Sequence, residues 1–272
     1  MVGIMRDIKI IIASPAGNTT AFVLSAVEQK DYMLIGKEIL ARKDLGVEQV
    51  AFVKSFSSQP RMEMCGMEFC GNAGRAFGLL CAKQQGIVGH ASIEISESGC
   101  NHNLLVEVNT SKNTASISMP LPKYVITLED TGLSELQGAV LVDLDGIMHV
   151  VLQNTNIEAS LKVFGRIKDF IMEKFNPPAM GVMFVKADKS MVPIVYVRDV
   201  DSTYEEGSCG SGTTACAIAW SQGCKEKTKY FVVRQPAGAI DVNVELTNGK
   251  VNGVSIGGPV ELSDVLTLSL NC

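Results

Sequence analysis

Two stretches far apart in the chain share one plan: EFCGNAGRAFGLL at 68–80 and GSCGSGTTACAIA at 207–219. In each, a cysteine stands directly before a glycine, small polar residues follow, and an apolar, helix-like run begins. A helix start carries unpaired N–H groups and a partial positive charge. A thiol placed there has its thiolate stabilised, so its pKa can fall from about 8.5 toward or below neutrality. The residues that follow, Gly71-Asn72 and Gly210-Ser211, allow backbone N–H groups to approach an anion such as a carboxylate. Two such thiols across a cleft suit inversion of a carbon: one thiolate removes a proton from one face and the opposed thiol delivers one to the other. Helix ends aimed at the carboxylate stabilise the enolate-like charge that develops, and closing two halves around it excludes water. Glu68 and Glu206, just before Cys70 and Cys209, either orient a substrate cation or are solvated loop acids.

Other chemistries fit less well. The eight cysteines are even in number, but a disulfide framework belongs to small secreted domains, and this chain has 272 residues. Reduced thiols are therefore expected, with Cys81 and Cys216 on apolar helix faces as ordinary core residues. With three histidines (90, 102 and 149) and no CxxC pair, zinc is not supported, and no metal is expected. A redox disulfide between the halves would need no carboxylate cradle. Neither GxGxxG nor a Walker lysine motif occurs.

Elements must position these thiols. Short β-branched runs broken by Gly, Asn, Asp and Pro recur from IKIIIA near the start to VLTLSL near the end, a pattern of mostly antiparallel sheet. Helices are predicted at 31–42, roughly 71–85, 158–175 and roughly 210–222, which makes the class α+β. MPLPKY at 119–124 is the best internal break. Behind it the order of strands, helix, strands, Cys-Gly turn and helix repeats, so two similar halves are expected. The composition, 46% hydrophobic with net charge −5, supports a sizeable core and argues against a nucleic-acid surface. No apolar run is long enough to span a bilayer, so no membrane partner is expected and a soluble, cytoplasmic protein is.

These motifs resemble the diaminopimelate epimerase-like superfamily of cofactor-independent racemases and epimerases, along nearly the whole chain. CGNAGRA is close to its first cysteine motif and SCGSGTTA to its second. SPAGNTTAFV is similar to its Gly-Asn segment, LGVEQVAFV to its acid-Gln segment, MHVV keeps its histidine, and QPAG at 235–238 resembles a Pro-Gly turn. The resemblance implies two pseudo-symmetric halves, each a curved sheet wrapped around a central helix, divided as 1–121 plus 262–272 and 122–261. It implies Cys70 and Cys209 as the two bases, with no cofactor. Gly71, Asn72, Gly210 and Ser211 would hold the α-carboxylate, with Asn18, Glu48, Gln49, His149 and Glu206 as further substrate contacts. A homodimer is the assembly its members commonly form.

Departures bear on the substrate. Where diaminopimelate epimerases hold the distal amino acid end with asparagines and a Glu-Arg pair, this chain has Ile147, Ala179 and Val197-Arg198. Distal charged groups would be left poorly paired, at roughly 1–3 kcal/mol for each buried group. GMEFCGNA, VEQVAFV, PAMGVMF and EEGSCGSGT instead resemble the histidine racemase branch, in which Glu48 or Glu206 could meet an imidazole or the α-ammonium. The alternatives are a diaminopimelate epimerase with a diverged pocket, a proline or hydroxyproline epimerase (against which FCGNA lacks the usual Cys-Gly-His), and a phenazine-type isomerase, which uses a Glu rather than paired thiols. A non-catalytic amino-acid-binding protein on the same scaffold is the non-enzymatic reading.

Overall fold

The computed structural model describes residues 5–57, 59–144, 146–198 and 201–271; Cys272 lies outside them. The chain divides into two compact units, Met1–Ser118 with Gly257–Cys272, and Met119–Ile256. Both breaks fall a few residues before those read from the sequence. The Met119 N–H already bonds the Val254 carbonyl at 2.8 Å within the second unit. Gly257, conversely, lies against Ser116 of the first.

In the first unit, β1 (Met5–Pro15), β2 (Thr20–Val23), helix α1 (Tyr32–Ala41), β3 (Gln49–Ser55) and β4 (Arg61–Met64) lead to helix α2 (Gly71–Gln84). Then come β5 (His90–Glu97), β6 (Leu104–Asn109) and β7 (Thr114–Ser118). The strand order is β7-β6-β5-β4-β3-β2-β1-β17, where β17 is Leu266–Asn271. The last residues of β16 (Lys250–Leu262) also pair with β1, Ala13 opposite Leu262. Alternation along β1 decides its two faces. Ile8 and Ile10 join Tyr32, Ile35 and Ile39 of α1 in one cluster, while residues of opposite parity face α2. Phe22, on β2, reaches Phe77 of α2 with ring centroids 6.0 Å apart.

Helix α2 has no solvent face: every residue from Gly71 to Ala82 is buried. A helix apolar or small on all sides is stable only when enclosed, and here β1, β5, β6 and β7 pack around it. Close approach is obtained with glycine. A Cβ at Gly78 would lie 2.5 Å from Val106 Cγ1.

The second unit repeats this order. β8 (Tyr124–Leu128), β9 (Ala139–Asp143), β10 (Met148–Leu152), helix α3 (Leu161–Lys174), β11 (Ala179–Val185), β12 (Met191–Val197) and β13 (Ser202–Glu205) precede helix α4 (Gly210–Ser221). β14 (Thr228–Arg234), β15 (Ala239–Thr247) and the start of β16 follow. The six-stranded sheet runs β13-β12-β11-β10-β9-β8. Val150, Leu152, Val182 and Phe184 pack with Phe164, Ile167 and Ile171 of α3 on one face. The residues between them, His149 and Val151 on β10, Gly181 and Met183 on β11, point to the other face. α4 packs against β9, β10, β11 and β15 and is buried almost throughout. In both units the two strands flanking the outer helix, β2–β3 and β10–β11, pair in parallel, as a helical crossover requires.

The predicted helices correspond to α1–α4, with α3 starting later than expected because Ser160 caps it, its Oγ accepting from the Val163 N–H at 3.3 Å. Four strands were not read from sequence: β4, β8, β9 and β13. RMEM and STYE are short and weak in β-branched residues, and YVITL and AVLVD sit behind proline and glycine punctuation. The fold is α+β in two sheet-and-helix units.

A Gly78→Ala substitution tests the enclosure of α2. The methyl improves helix propensity by up to about 1 kcal/mol, but overpacking against Val106 costs about 1–3 kcal/mol. A lowered urea midpoint with unchanged slope is expected.

Candidate active site

Both cysteines are N-caps. Cys70 has extended backbone (φ −137°, ψ 99°) and its carbonyl accepts from the Gly74 N–H at 2.8 Å. Cys209 (φ −123°, ψ 112°) does the same for the Thr213 N–H at 3.0 Å. The thiols then diverge. Cys209 Sγ turns back and accepts from the Gly212 N–H at 3.3 Å, with Ser211 Oγ 3.5 Å away. Cys70 Sγ makes no cap bond and donates to Gln49 Oε1 at 3.2 Å. The difference traces to the first residue of the parallel partner strand: Gln49 opens β3 in one unit and Ala179 opens β11 in the other.

Around Cys70, the β1–β2 turn (Ala16 φ 55°, Gly17 φ 78°) presents Asn18, whose Nδ2 donates to Glu48 Oε2 at 2.9 Å. Asn18 Oδ1 is buried without a hydrogen-bond partner. Asn72 is buried, and its Oδ1 accepts from Arg75 Nε at 3.2 Å. Arg75, wholly buried, also donates from Nη1 to the Gly258 carbonyl at 3.1 Å. The structure thus gathers Asn18, Glu48, Gln49, Cys70, Gly71 and Asn72 at the start of α2.

Around Cys209, Glu206 is hydrogen-bonded to the thiol, so its carboxylate is directed at sulfur. The lowering that a helix start can produce is outweighed at this thiol. Burial raises it well above the ordinary value, the Glu206 charge and hydrogen bond raise it further, and Ser211 and the Gly212 N–H offset only part. Desolvation shifts a buried thiol by several units, whereas a helix end contributes about 0.3–1 kcal/mol, less than one unit. Cys209 therefore holds its proton. His149 is 0% exposed, opposite Gly181 in the parallel ladder, with neither ring nitrogen hydrogen-bonded. Gly181 makes room for it: a Cβ there would sit 2.5 Å from the ring's Nδ1. Burial lowers the His149 pKa to about 3. The ring is a covered, neutral group in this structure. Ile147 and Ala179 flank one end of the β10–β11 pair, whose first partners are Met148 and Met180.

Sequence reasoning missed the acceptors of the two capping N–H groups. The Cys70 N–H donates to Glu97 Oε1 at 2.6 Å and the Cys209 N–H to Gln235 Oε1 at 2.7 Å. A repeated offset was the available signal: these partners lie 27 and 26 residues beyond their cysteines, each at the close of a strand. Among the described residues, no group of three or more His, Cys, Asp or Glu side chains gathers as a metal site. The seven described cysteines are all free.

Two outcomes check these environments. Glu206→Gln removes a charge that raises the Cys209 pKa, so iodoacetamide labelling of Cys209 near pH 8 accelerates by roughly three- to tenfold. His149 is neutral in the folded chain down to about pH 3 but takes a proton near pH 6.5 when unfolded. The unfolded state thus binds more protons between these values, and stability falls as pH drops through about 6.5 toward 3. Wild type is expected to lose about 2 kcal/mol from this source between pH 7 and pH 5. His149→Leu, compared by urea unfolding at both values, lacks that increment.

Comparison with known proteins follows the same lines. Residues 7–265 match the family described as the histidine racemase CntK N-terminal domain. A histidine racemase of Fusobacterium nucleatum subsp. nucleatum is 32% identical over 269 residues, covering 96% of this chain and 97% of its own. One from Staphylococcus aureus is 24% identical over 255 residues, covering 91% and 92%. A solved Pseudomonas aeruginosa structure, described as a predicted epimerase, shares the fold with TM-score 0.68 at 15% identity, over 97% of this chain and 99% of that one. With one family matched along nearly its whole length, this chain belongs to the histidine racemases.

Proposed function

We propose that this chain racemises histidine by a two-base mechanism in which Cys70 and Cys209 act on opposite faces of the α-carbon, without a cofactor. The observation that carries the reading is that the two thiols are the N-caps of the two enclosed helices, each beside backbone N–H groups suited to a carboxylate. The chain is an isomerase of the racemase and epimerase class; histidine as substrate rests on the relatives' names.

In this scheme the helix-start N–H groups, those of Gly71 and Asn72 and those of Gly210 and Ser211, are the donors to the substrate carboxylate. Charge moving onto it as the α-proton leaves is stabilised by the same donors. Cys209, which holds its proton, is the resting acid, and Cys70 is the base that meets the α-proton of the isomer bound first. After transfer the roles are exchanged, which is the state the opposite isomer requires. Glu48, exposed and fixed by Asn18, is the better placed acid for the imidazole, because Glu206 is engaged with the Cys209 thiol. Ile147 and Ala179 offer no partner for a second charged head, which favours histidine over diaminopimelate. Two working thiols need a reducing compartment, consistent with a cytoplasmic enzyme.

Incubation with single L-amino acids in D₂O, without added cofactor, tests the reading. L-Histidine is expected to gain α-deuterium and lose optical rotation, with little or no change in LL-diaminopimelate or L-proline. Cys70→Ala and Cys209→Ala should each abolish racemisation. Full activity in either single variant refutes the two-base scheme, while turnover of diaminopimelate alone refutes only the substrate.

A further inference from the structure

The two helix starts satisfy the same buried N–H with different chemistry. At Cys209 the acceptor is an amide, and both polar atoms of Gln235 are engaged: Oε1 takes the N–H at 2.7 Å and Nε2 donates to Thr213 Oγ1 at 3.0 Å. At Cys70 the acceptor is a carboxyl group. Glu97 is 1% exposed, its Oε1 takes the N–H at 2.6 Å, and its Oε2 is buried with no hydrogen-bond partner. That oxygen fills the space beside Gly74, where a Cβ would come within 2.6 Å of it and 2.7 Å of Ile117 Cδ1. The titratable groups that face it are Glu68 on the loop entering α2, Cys70 at the helix start, and Cys100 just beyond β5. Gly74 of α2 and Ile117 of β7 supply the remaining contacts. No cation is among the groups that act on it.

A buried carboxylate with one N–H donor, no cation and a second acid nearby is far costlier than a neutral acid in the same place. A negative charge there would also oppose any anion at the start of α2. We propose that Glu97 is a positioning residue that holds Cys70 through its main chain as a neutral carboxylic acid, the protonated counterpart of Gln235. Burial, reinforced by Glu68, pushes its pKa in the direction this requires. The catalytic relevance rests on Cys70 being one of the two bases; the protonation state and the positioning do not.

Two measurements independent of turnover test this on the full chain. The infrared difference between wild type and Glu97→Gln near pH 7 should show loss of the carbonyl stretch of a protonated carboxylic acid. Loss of carboxylate bands instead overturns the proposal. Second, Cys70 alkylation by iodoacetamide is followed by peptide mass from about pH 6 to about pH 10. Glu97→Gln, which keeps the acceptor and adds no charge, should leave the Cys70 midpoint within about 0.3 pH units of wild type, whereas Glu97→Ala should move it by more than about 0.5. A midpoint lowered by about one unit in Glu97→Gln shows an ionised Glu97, and a Glu97→Ala titration identical to wild type shows no positioning; either result overturns the proposal. If Glu97→Ala does not fold, Glu97→Gln alone decides the protonation state. Failure of the racemase reading would leave both readouts unchanged.

Discussion

The structure depends on enclosing two helices that have no polar face. GNAGRAFGLLCA and GSGTTACAIA can be neither surface helices nor isolated ones, since burial on every side is the only environment that suits them. Each unit meets the demand by curling strands around its helix while an amphipathic outer helix covers the opposite side of the sheet. Enclosure of the helix flanks leaves the N-terminal N–H groups with no partners beyond what the capping residue and neighbouring strands supply. An anion-accepting helix end is thus a by-product of packing, and the thiol needs only to be placed there.

Shared architecture does not make the two thiols equal. Gln49 at the first position of β3 draws Cys70 Sγ away from its helix. Ala179 at the matching start of β11 offers no acceptor, and Cys209 Sγ folds back onto its own first turn, where Glu206 meets it. The difference between Gln49 and Ala179 accompanies a half-buried thiol in one unit and a buried one in the other. Under the proposed two-base scheme, the bases must hold opposite protonation states at any moment, and differences of this kind between repeated units would supply that condition.

Much of this was legible in the sequence because it is local. A capping cysteine, the glycine after it and the small-residue run behind it lie within one helical turn of each other, and the sheet-rich pattern follows from alternation over a few residues. What the sequence withheld was set by tertiary contact. Glu97 and Gln235 look like ordinary strand-end polar residues until β5 and the close of β14 are folded against the helix starts. The raised pKa of Cys209 was not legible because it comes from burial, which outweighs the helix-end effect. His149 gave no sign of being covered, since its burial depends on Gly181 across the ladder.

The path of the last strands sets an order for biogenesis. β1 is made well before three of its partners, Leu262 on β16 and Leu268 and Leu270 on β17. Arg75 likewise waits for the carbonyls of Gly258 and Pro259. Residues 119–256 are complete before these arrive, so during synthesis the second unit is free to fold first while the first sheet stays unfinished, its Ile8 and Ile10 cluster still lacking Leu268 and Leu270. A nascent chain of this design needs cover for its first sheet throughout the synthesis of the residues between β7 and β16.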